Sequence, residues 1–182
     1  MTKVLRNGTY TGERALYNSN SLEIYDSVFE DGESPLKESS DLKILNSTFR
    51  WKYPLWYCNN VECENVILEE TARSGIWYTN NISFKDSKII APKIFRRASN
   101  IVLKNVNMEN AEETFWGCKN IKLNNVYARG NYFCMNSKNI EIEDFQLDGN
   151  YAFDGAENVT IKNAILNVEK SEYWYKKLKL YS

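Results

Sequence analysis

The sequence predicts an all-β chain: a right-handed, single-stranded parallel β-helix of about eight coils of 19–21 residues, cornered by Asn/Asp ladders. Three observations predict it. The first is an excess of Asn, 23 of 182 residues, beside 14% aromatic residues. Asn is unfavourable inside helices and strands but suits turns, and so many aromatic residues argue against disorder. The second is a phrase of the form Asn-apolar-x-apolar-x-Asn that returns eight times. Its first apolar residue is Leu22, Leu42, Val61, Ile82, Ile101, Ile121, Ile140 and Val159, at spacings of 20, 19, 21, 19, 20, 19 and 19. The third is the period within each phrase. It is 2, which marks short strands, not helices.

Aligned columns support the register. Two residues after the first apolar position stand Ile24, Ile44, Cys63, Phe84, Leu103, Leu123, Ile142 and Ile161. Two further on, every residue is Asn or Asp: Asp26, Asn46, Asn65, Asp86, Asn105, Asn125, Asp144 and Asn163. Immediately before the first apolar residue stand Ser21, Asp41, Asn60, Asn81, Asn100, Asn120, Asn139 and Asn158. Six before it is an apolar column from Leu16 to Phe153, and three before it are small residues only. A unit of about 20 residues cannot bury its apolar positions alone, whereas stacked copies can. Parallel strands spaced about 4.8 Å apart place like on like, so the Asn columns become corner ladders. A leucine-rich repeat has a similar length, but its L-x-x-L-x-L-x-x-N spacing is missing. The usual crossover hand favours a right-handed coil.

These elements make one domain, 1–182. Residues 1–16 read as a partial coil that caps the N-terminal end, with Asn7-Gly8 as a tight turn. Residues 17–166 are the coils. Residues 167–182 are an incomplete last coil: 19 residues after Val159 comes Leu178, with Leu180 two further on. The tail is aromatic and basic. The open end is expected either to pair with a second chain, giving a homo-oligomer, or to be blunted by Lys176, Lys177 and Lys179.

Composition excludes much chemistry. There is no His, so His-based triads, His-ligated metals and imidazole switches are out. A net charge of -1 gives no reason to expect nucleic acid. No apolar run approaches the ~20 residues of a membrane span, and the first ten residues lack a signal-peptide core. The four Cys read as buried, small hydrophobes, since Cys58 and Cys118 share a column three coils apart, too far for a disulfide. Four unpaired thiols point to a reducing cytoplasm. No metal or other cofactor is expected.

The segments GERAL (12–16), DGESPLKES (31–39), WKYPLWY (51–57), GIWYTNN (75–81), APKIFRR (91–97), NAEETFWG (110–117) and GNYAFDGAENV (149–159) resemble the bacterial domain-of-unknown-function 3737 family. The resemblance spans about residues 10 to 166. It implies a pectate-lyase-like, right-handed parallel β-helix, with fewer coils than its relatives. Members are sometimes labelled hydrogenases, but this chain has no cysteine cluster to support that. The resemblance implies no established activity.

One face stands apart. Five residues before the first apolar position come Tyr17, Lys37, Trp56, Trp77, Arg96, Trp116, Met135 and Asp154, a column that holds three of the five Trp. Beside it come Tyr57, Tyr78 and Arg97 in the central coils, and a loop carrying Glu112 and Glu113 precedes Trp116. Loops over a rigid face commonly carry binding. The candidate ligand-binding set is Trp56, Tyr57, Trp77, Tyr78, Arg96, Arg97, Glu113, Trp116 and Asp154, with a glycan or other polar small molecule as the expected partner. The same rings can equally form a stacked ladder with no ligand, or a protein-interaction patch. Whether the chain is an enzyme stays open. The pectate-lyase-like resemblance implies an alternative, a carbohydrate-active lyase or hydrolase on the same face, in which Arg96 and Arg97 would imitate the basic residue that abstracts a proton. Calcium, however, needs converging oxygens, and Asp31, Glu33, Glu112, Glu113 and Asp154 lie on different coils or diverge. A hydrolase needs facing carboxylates. A third reading is a scaffold that assembles end to end. The charged column from Glu23 to Thr160 reads as solvated ladders and is left out of any site.

Overall fold

The computed structural model describes residues 1–170 and 178–181, with 178–180 as backbone alone. Every described element is a strand: β1 (Lys3–Arg6), β2 (Thr9–Tyr10), β3 (Asn20–Tyr25), β4 (Val28–Phe29), β5 (Ser40–Leu45), β6 (Thr48–Phe49), β7 (Asn59–Glu64), β8 (Ile67–Leu68), β9 (Asn80–Ile89), β10 (Ser99–Met108), β11 (Lys119–Arg129), β12 (Lys138–Asp148), β13 (Glu157–Asn167) and β14 (Leu178–Tyr181). The order β1-β3-β5-β7-β9-β10-β11-β12-β13-β14 is parallel throughout, with β2, β4, β6 and β8 forming a second ladder beside it. The chain is therefore a parallel β-solenoid. Register follows the repeat: Leu22 faces Leu42, Ile101 faces Ile121, and Val159 faces Leu178.

The ten strands of the main path include one more coil at the N-terminus than the eight repeats show. Residues 1–16 form this coil and are more than a cap. Lys3 pairs with Leu22, Leu5 with Ile24, and Thr9–Tyr10 with Val28–Phe29. The amides of Gly12, Arg14 and Leu16 then donate to the carbonyls of Asp31, Glu33 and Pro35. Lys3 hides the repeat because it stands in the first apolar column. At the other end, Lys176 and Lys177, expected to blunt the open coil, lie outside the described residues, as does the side chain of Lys179.

The core is the sum of the inward columns. Leu36, Leu55, Ile76, Phe95, Phe115 and Phe153 are each 2% exposed or less. Rings stack up the axis, Phe95 on Phe115 at 4.7 Å and Phe29 on Phe49 at 4.5 Å. The small-residue column has a second reason for its size. Its hydroxyls bond inward carbonyls of the preceding coil, Thr79 Oγ1 to Leu55 O at 2.7 Å and Ser137 Oγ to Phe115 O at 2.6 Å. Cys58 and Cys118 replace those hydroxyls, their thiols donating to Leu36 O at 3.2 Å and Phe95 O at 3.0 Å.

The Asn and Asp corners adopt left-handed backbone, with φ of 54–58° from Ser21 to Asn158 and 50–55° from Asn7 to Asn163. Short polar residues tolerate this region best after Gly. Their amides also form ladders in which each Asn donates to the preceding coil. Asn120 donates to Asn100, Asn139 to Asn120 and Asn158 to Asn139, at 2.9–3.0 Å. In the other column, Asn46 donates to Asp26 and Asn65 to Asn46; Asn105 donates to Asp86 and Asn125 to Asn105; Asn163 donates to Asp144. A carboxylate only accepts. Each Asp therefore starts a run and interrupts the side-chain ladder towards the coil before it, while the backbone bonds continue.

Candidate functional site

The aromatic column rests on a continuous backbone ladder. Glu38, Tyr57, Tyr78, Arg97 and Gly117 donate their amides to the carbonyls of Trp56, Trp77, Arg96, Trp116 and Met135 at 2.8–3.0 Å. Each position one after the aromatic column is left-handed, including Tyr57 (φ 55°), Tyr78 (φ 58°) and Arg97 (φ 47°). Asn18, Asn136, Gly117 and Gly155 in the same column were the sequence signal for that turn.

Trp56, Trp77, Arg96 and Trp116 come together as a half-buried stack. The rings of Trp56 and Trp77 are parallel at 5.0 Å. The Arg96 guanidinium lies 4.6 Å from the Trp77 ring and 5.4 Å from the Trp116 ring. Both inner indole N–H groups are satisfied by loop carbonyls, Trp56 by Ser74 at 2.5 Å and Trp77 by Lys93 at 2.9 Å. Tyr57 and Tyr78 stack on each other at 4.8 Å and present their edges to Trp56 and Trp77. The flat indole faces are thus covered by neighbouring residues along most of the stack.

The acidic candidates are engaged. Glu113 is 3.3 Å from Arg96 and 3.9 Å from Lys93. Glu112 accepts the Asn131 amide at 2.8 Å, so the two neighbouring carboxylates do diverge. Asp154 is half-buried two coils beyond Trp116, away from the stack. Among the described residues no group of three or more His, Cys, Asp or Glu is arranged to hold a metal. Burial pushes the Cys58 and Cys118 thiols up to about 12 and holds those of Cys63 and Cys134 well above the usual thiol range, so none is a nucleophile near neutrality.

The stack has one gap. Where Tyr57 and Tyr78 flank Trp56 and Trp77, the corresponding neighbour of Trp116 is Gly117. A side chain placed at Gly117 would meet only Arg97 Cγ, at 3.7 Å. Trp116 therefore has no ring neighbour among the described residues, and a notch opens beside it. Arg97, on its edge, is exposed and makes no ion pair among the described residues.

A second concavity lies elsewhere. A groove of about 780 Å³ runs along the outer side of the main sheet, between the Asn column and the charged column from Glu23 to Lys122. The sequence reading set that charged column aside, because a groove depends on side-chain height across several coils and not on any one coil.

Stacked coils of parallel strands, amide ladders at the corners and a ladder of rings on one side define a parallel β-helix with an aromatic face. The chain belongs to the family described as Protein of unknown function (DUF3737), whose profile matches residues 3–181. Among curated proteins no sequence matches it. Among solved structures it is similar to the A-module of the Azotobacter vinelandii mannuronan C-5 epimerase AlgE4, at 12% identity and TM-score 0.43 over 92% of this chain and 68% of that one. It is also similar to trypsin-treated QnrB1, a plasmid-mediated fluoroquinolone resistance protein, at 11% identity and TM-score 0.37 over 96% and 92%.

Proposed function

We propose that the protein is a non-catalytic binding protein whose aromatic face takes a polar ligand, in the first instance a glycan. The observation that carries this reading is the Gly117 notch, with the Trp116 indole, which has Arg96 on one face, on one side and Arg97, exposed and without an ion pair among the described residues, on the other. The ring offers an apolar face for C–H groups, and the guanidinium offers a fork of donors for a carboxylate or a pair of hydroxyls. The engagement of Glu112 and Glu113 by other groups supports binding over catalysis. The covered rings, Trp56 and Trp77, then act as the wall that holds Trp116 and Arg96 in place.

The test is a glycan array probed with the wild type and with Arg97→Ala, Trp116→Ala and Trp77→Ala. Arg97→Ala is expected to lose at least ~10-fold in signal, the size of one charged hydrogen bond. Trp116→Ala is expected to lose as much, and Trp77→Ala less. Equal signals for wild type and Arg97→Ala on every glycan of the array, or no signal from any glycan, would overturn the reading.

A further inference from the structure

We infer that the groove on the sheet side is a second binding site, separate from the aromatic face, for a linear uncharged polyhydroxyl chain, a neutral glycan. Its floor is the backbone of β5, β7, β9 and β10 at Leu42, Val61, Ile82 and Ile101, whose side chains point into the core. One bank is the amide corner, Asp41, Asn60, Asn81, Asn100 and Asn120. The other is the row Glu23, Lys43, Glu62, Ser83, Val102 and Lys122. The groove crosses the strands from the coil of Thr2 to that of Asn120, six coil steps or about 29 Å at the usual strand spacing. Its long axis is the axis of the solenoid, so its natural occupant is elongated.

Two independent interruptions meet at its centre. On the amide bank, Asn81 donates to Asn60 at 3.0 Å, but Asn100 turns aside and donates to Asn80 at 2.9 Å. Asn80 stands in the adjacent column and also accepts from Ser99 Oγ at 2.6 Å. The Oδ1 of Asn81 therefore accepts no hydrogen bond among the described residues. On the opposite bank, at the same two coils, the row of Glu and Lys drops to Ser83 and Val102. Val102 is 45% exposed, an apolar side chain in a row that is otherwise polar. The centre thus offers an open acceptor on one side, methyl groups on the other and no charge.

That combination selects a class of ligand. The acceptor calls for a hydroxyl, and Val102 calls for a C–H surface. A sugar ring carries both. Flanking charges work against a polyanion, and the uncharged centre at Ser83 and Val102 gives a polycation nothing to pair with. A polyanion meets Glu23, Asp41 and Glu62, with Lys43 as the one lysine of the lining without an ion pair among the described residues, since Lys122 is already 3.8 Å from Glu141. Like charges brought together in a groove are repelled. Spacing separates a glycan from an extended peptide. The bank repeats once per coil, about 4.8 Å, close to the length of one pyranose unit. A peptide strand repeats its side-chain pattern every two residues, about 6.6 Å, and drifts out of step within two coils.

The experiment titrates the whole chain with neutral linear oligosaccharides of increasing length, a uronic-acid oligosaccharide and an uncharged extended peptide, by calorimetry. A neutral series is expected to bind, tightening with each added unit. The double substitution Ser83→Lys with Val102→Glu restores the alternating charge row at two surface positions. It is expected to cut that binding at least ~10-fold without lowering the midpoint of unfolding. In the wild type, the side-chain amide NMR signals of Asn81 and Asn100 should shift on addition of the oligosaccharide, while those of Asn139 and Asn158, outside the groove, stay fixed. Binding in this groove should survive Arg97→Ala, which separates it from the aromatic face. No binding by any neutral oligosaccharide, binding unaffected by the double substitution, or preference for the peptide or the uronic-acid chain would each overturn the inference.

Discussion

Trp77 and Asn81 lie four residues apart on the same coil, and each belongs to a column that runs the length of the solenoid. The two columns look alike in the way they consume their own chemistry. Trp77 gives one face to Trp56 and the other to Arg96, and its N–H to Lys93. Asn139 gives its amide to Asn120 and its oxygen to Asn158. In a stack with a spacing near 4.8 Å, a side chain in perfect register has its partner directly above and below. The columns differ in how they are interrupted. The column flanking the aromatic one is interrupted by Gly117 after Tyr57, Tyr78 and Arg97, which removes a neighbour of Trp116 and leaves a cationic notch. The amide column is interrupted by Asn100, which chooses Asn80 and leaves an uncharged acceptor. Regular positions in this solenoid use up their own groups, and the groups left unfilled lie where a column breaks.

The largest expected effect concerns the most regular positions, the buried thiols. Their acid form is favoured by burial, so their values in the fold lie above the ordinary 9.0. The sign follows from linkage. Above pH 9 the unfolded chain releases protons that the folded chain retains, so stability falls as pH rises and is fully present below 9. Each thiol held protonated contributes about 1.4 kcal/mol per pH unit to that slope. Tyr17, Tyr25 and Tyr127, raised by hydrogen bonds to Glu38, Glu23 and Asp148, act in the same direction. Urea midpoints followed from about pH 8 to pH 11 should fall steeply. The double variant Cys58→Ser, Cys118→Ser keeps donors to Leu36 and Phe95 that do not titrate, and should have a shallower slope. An unchanged slope would show that these thiols do not sit in the core as described.

Next in size is a pair of neighbours, one on each side of the wall. Phe115 is 0% exposed and lies parallel to Phe95 at 4.7 Å. Phe115→Ala should cost about 3–5 kcal/mol, as for other buried aromatic truncations. Trp116 is larger but half-buried, with Arg96 on one face and the notch beside it. Trp116→Ala should cost about 1–2 kcal/mol, from the lost cation–π contact and modest area. Equal costs in urea titration would mean that Trp116 belongs to the core, which removes the notch.

The columns behind these predictions were legible in the sequence because period and residue type fixed both direction and depth. Ile101 and Leu103 had to point inward once Asn100 and Asn105 were corners. The first coil was legible only as a partial one, because Lys3 breaks the apolar column while Leu5 and Asn7 fit theirs. The stacked ladder that covers the Trp faces was one of the readings the column allowed, and side-chain rotation, which spacing does not fix, decides among them. The interruptions were visible in principle. Gly117 broke a Tyr, Tyr, Arg run, and Ser83 with Val102 broke a charged row. Nothing in one coil, however, shows that a gap on one column faces a gap on another.

The smallest effect separates the two jobs of a ladder residue. Asn105 has φ of 55°, donates to Asp86 and accepts from Asn125, both at 2.9 Å, on the exposed side of the corner. Asn105→Ala loses both bonds and leaves a residue that is unfavourable in left-handed backbone, for a cost of about 1–2 kcal/mol. Asn105→Gly loses the same bonds but relieves the backbone, so it should cost about 1 kcal/mol less than the Ala variant. If Gly and Ala cost the same in urea titration, the amide bonds alone stabilise the corner, and Asn81 with its unfilled acceptor should then be a weak point of the stack. If Gly is nearly neutral, the corner is held by conformation. An unfilled acceptor then costs the fold little, which is the condition under which the break at Asn81 can persist in the free protein and be satisfied by a ligand.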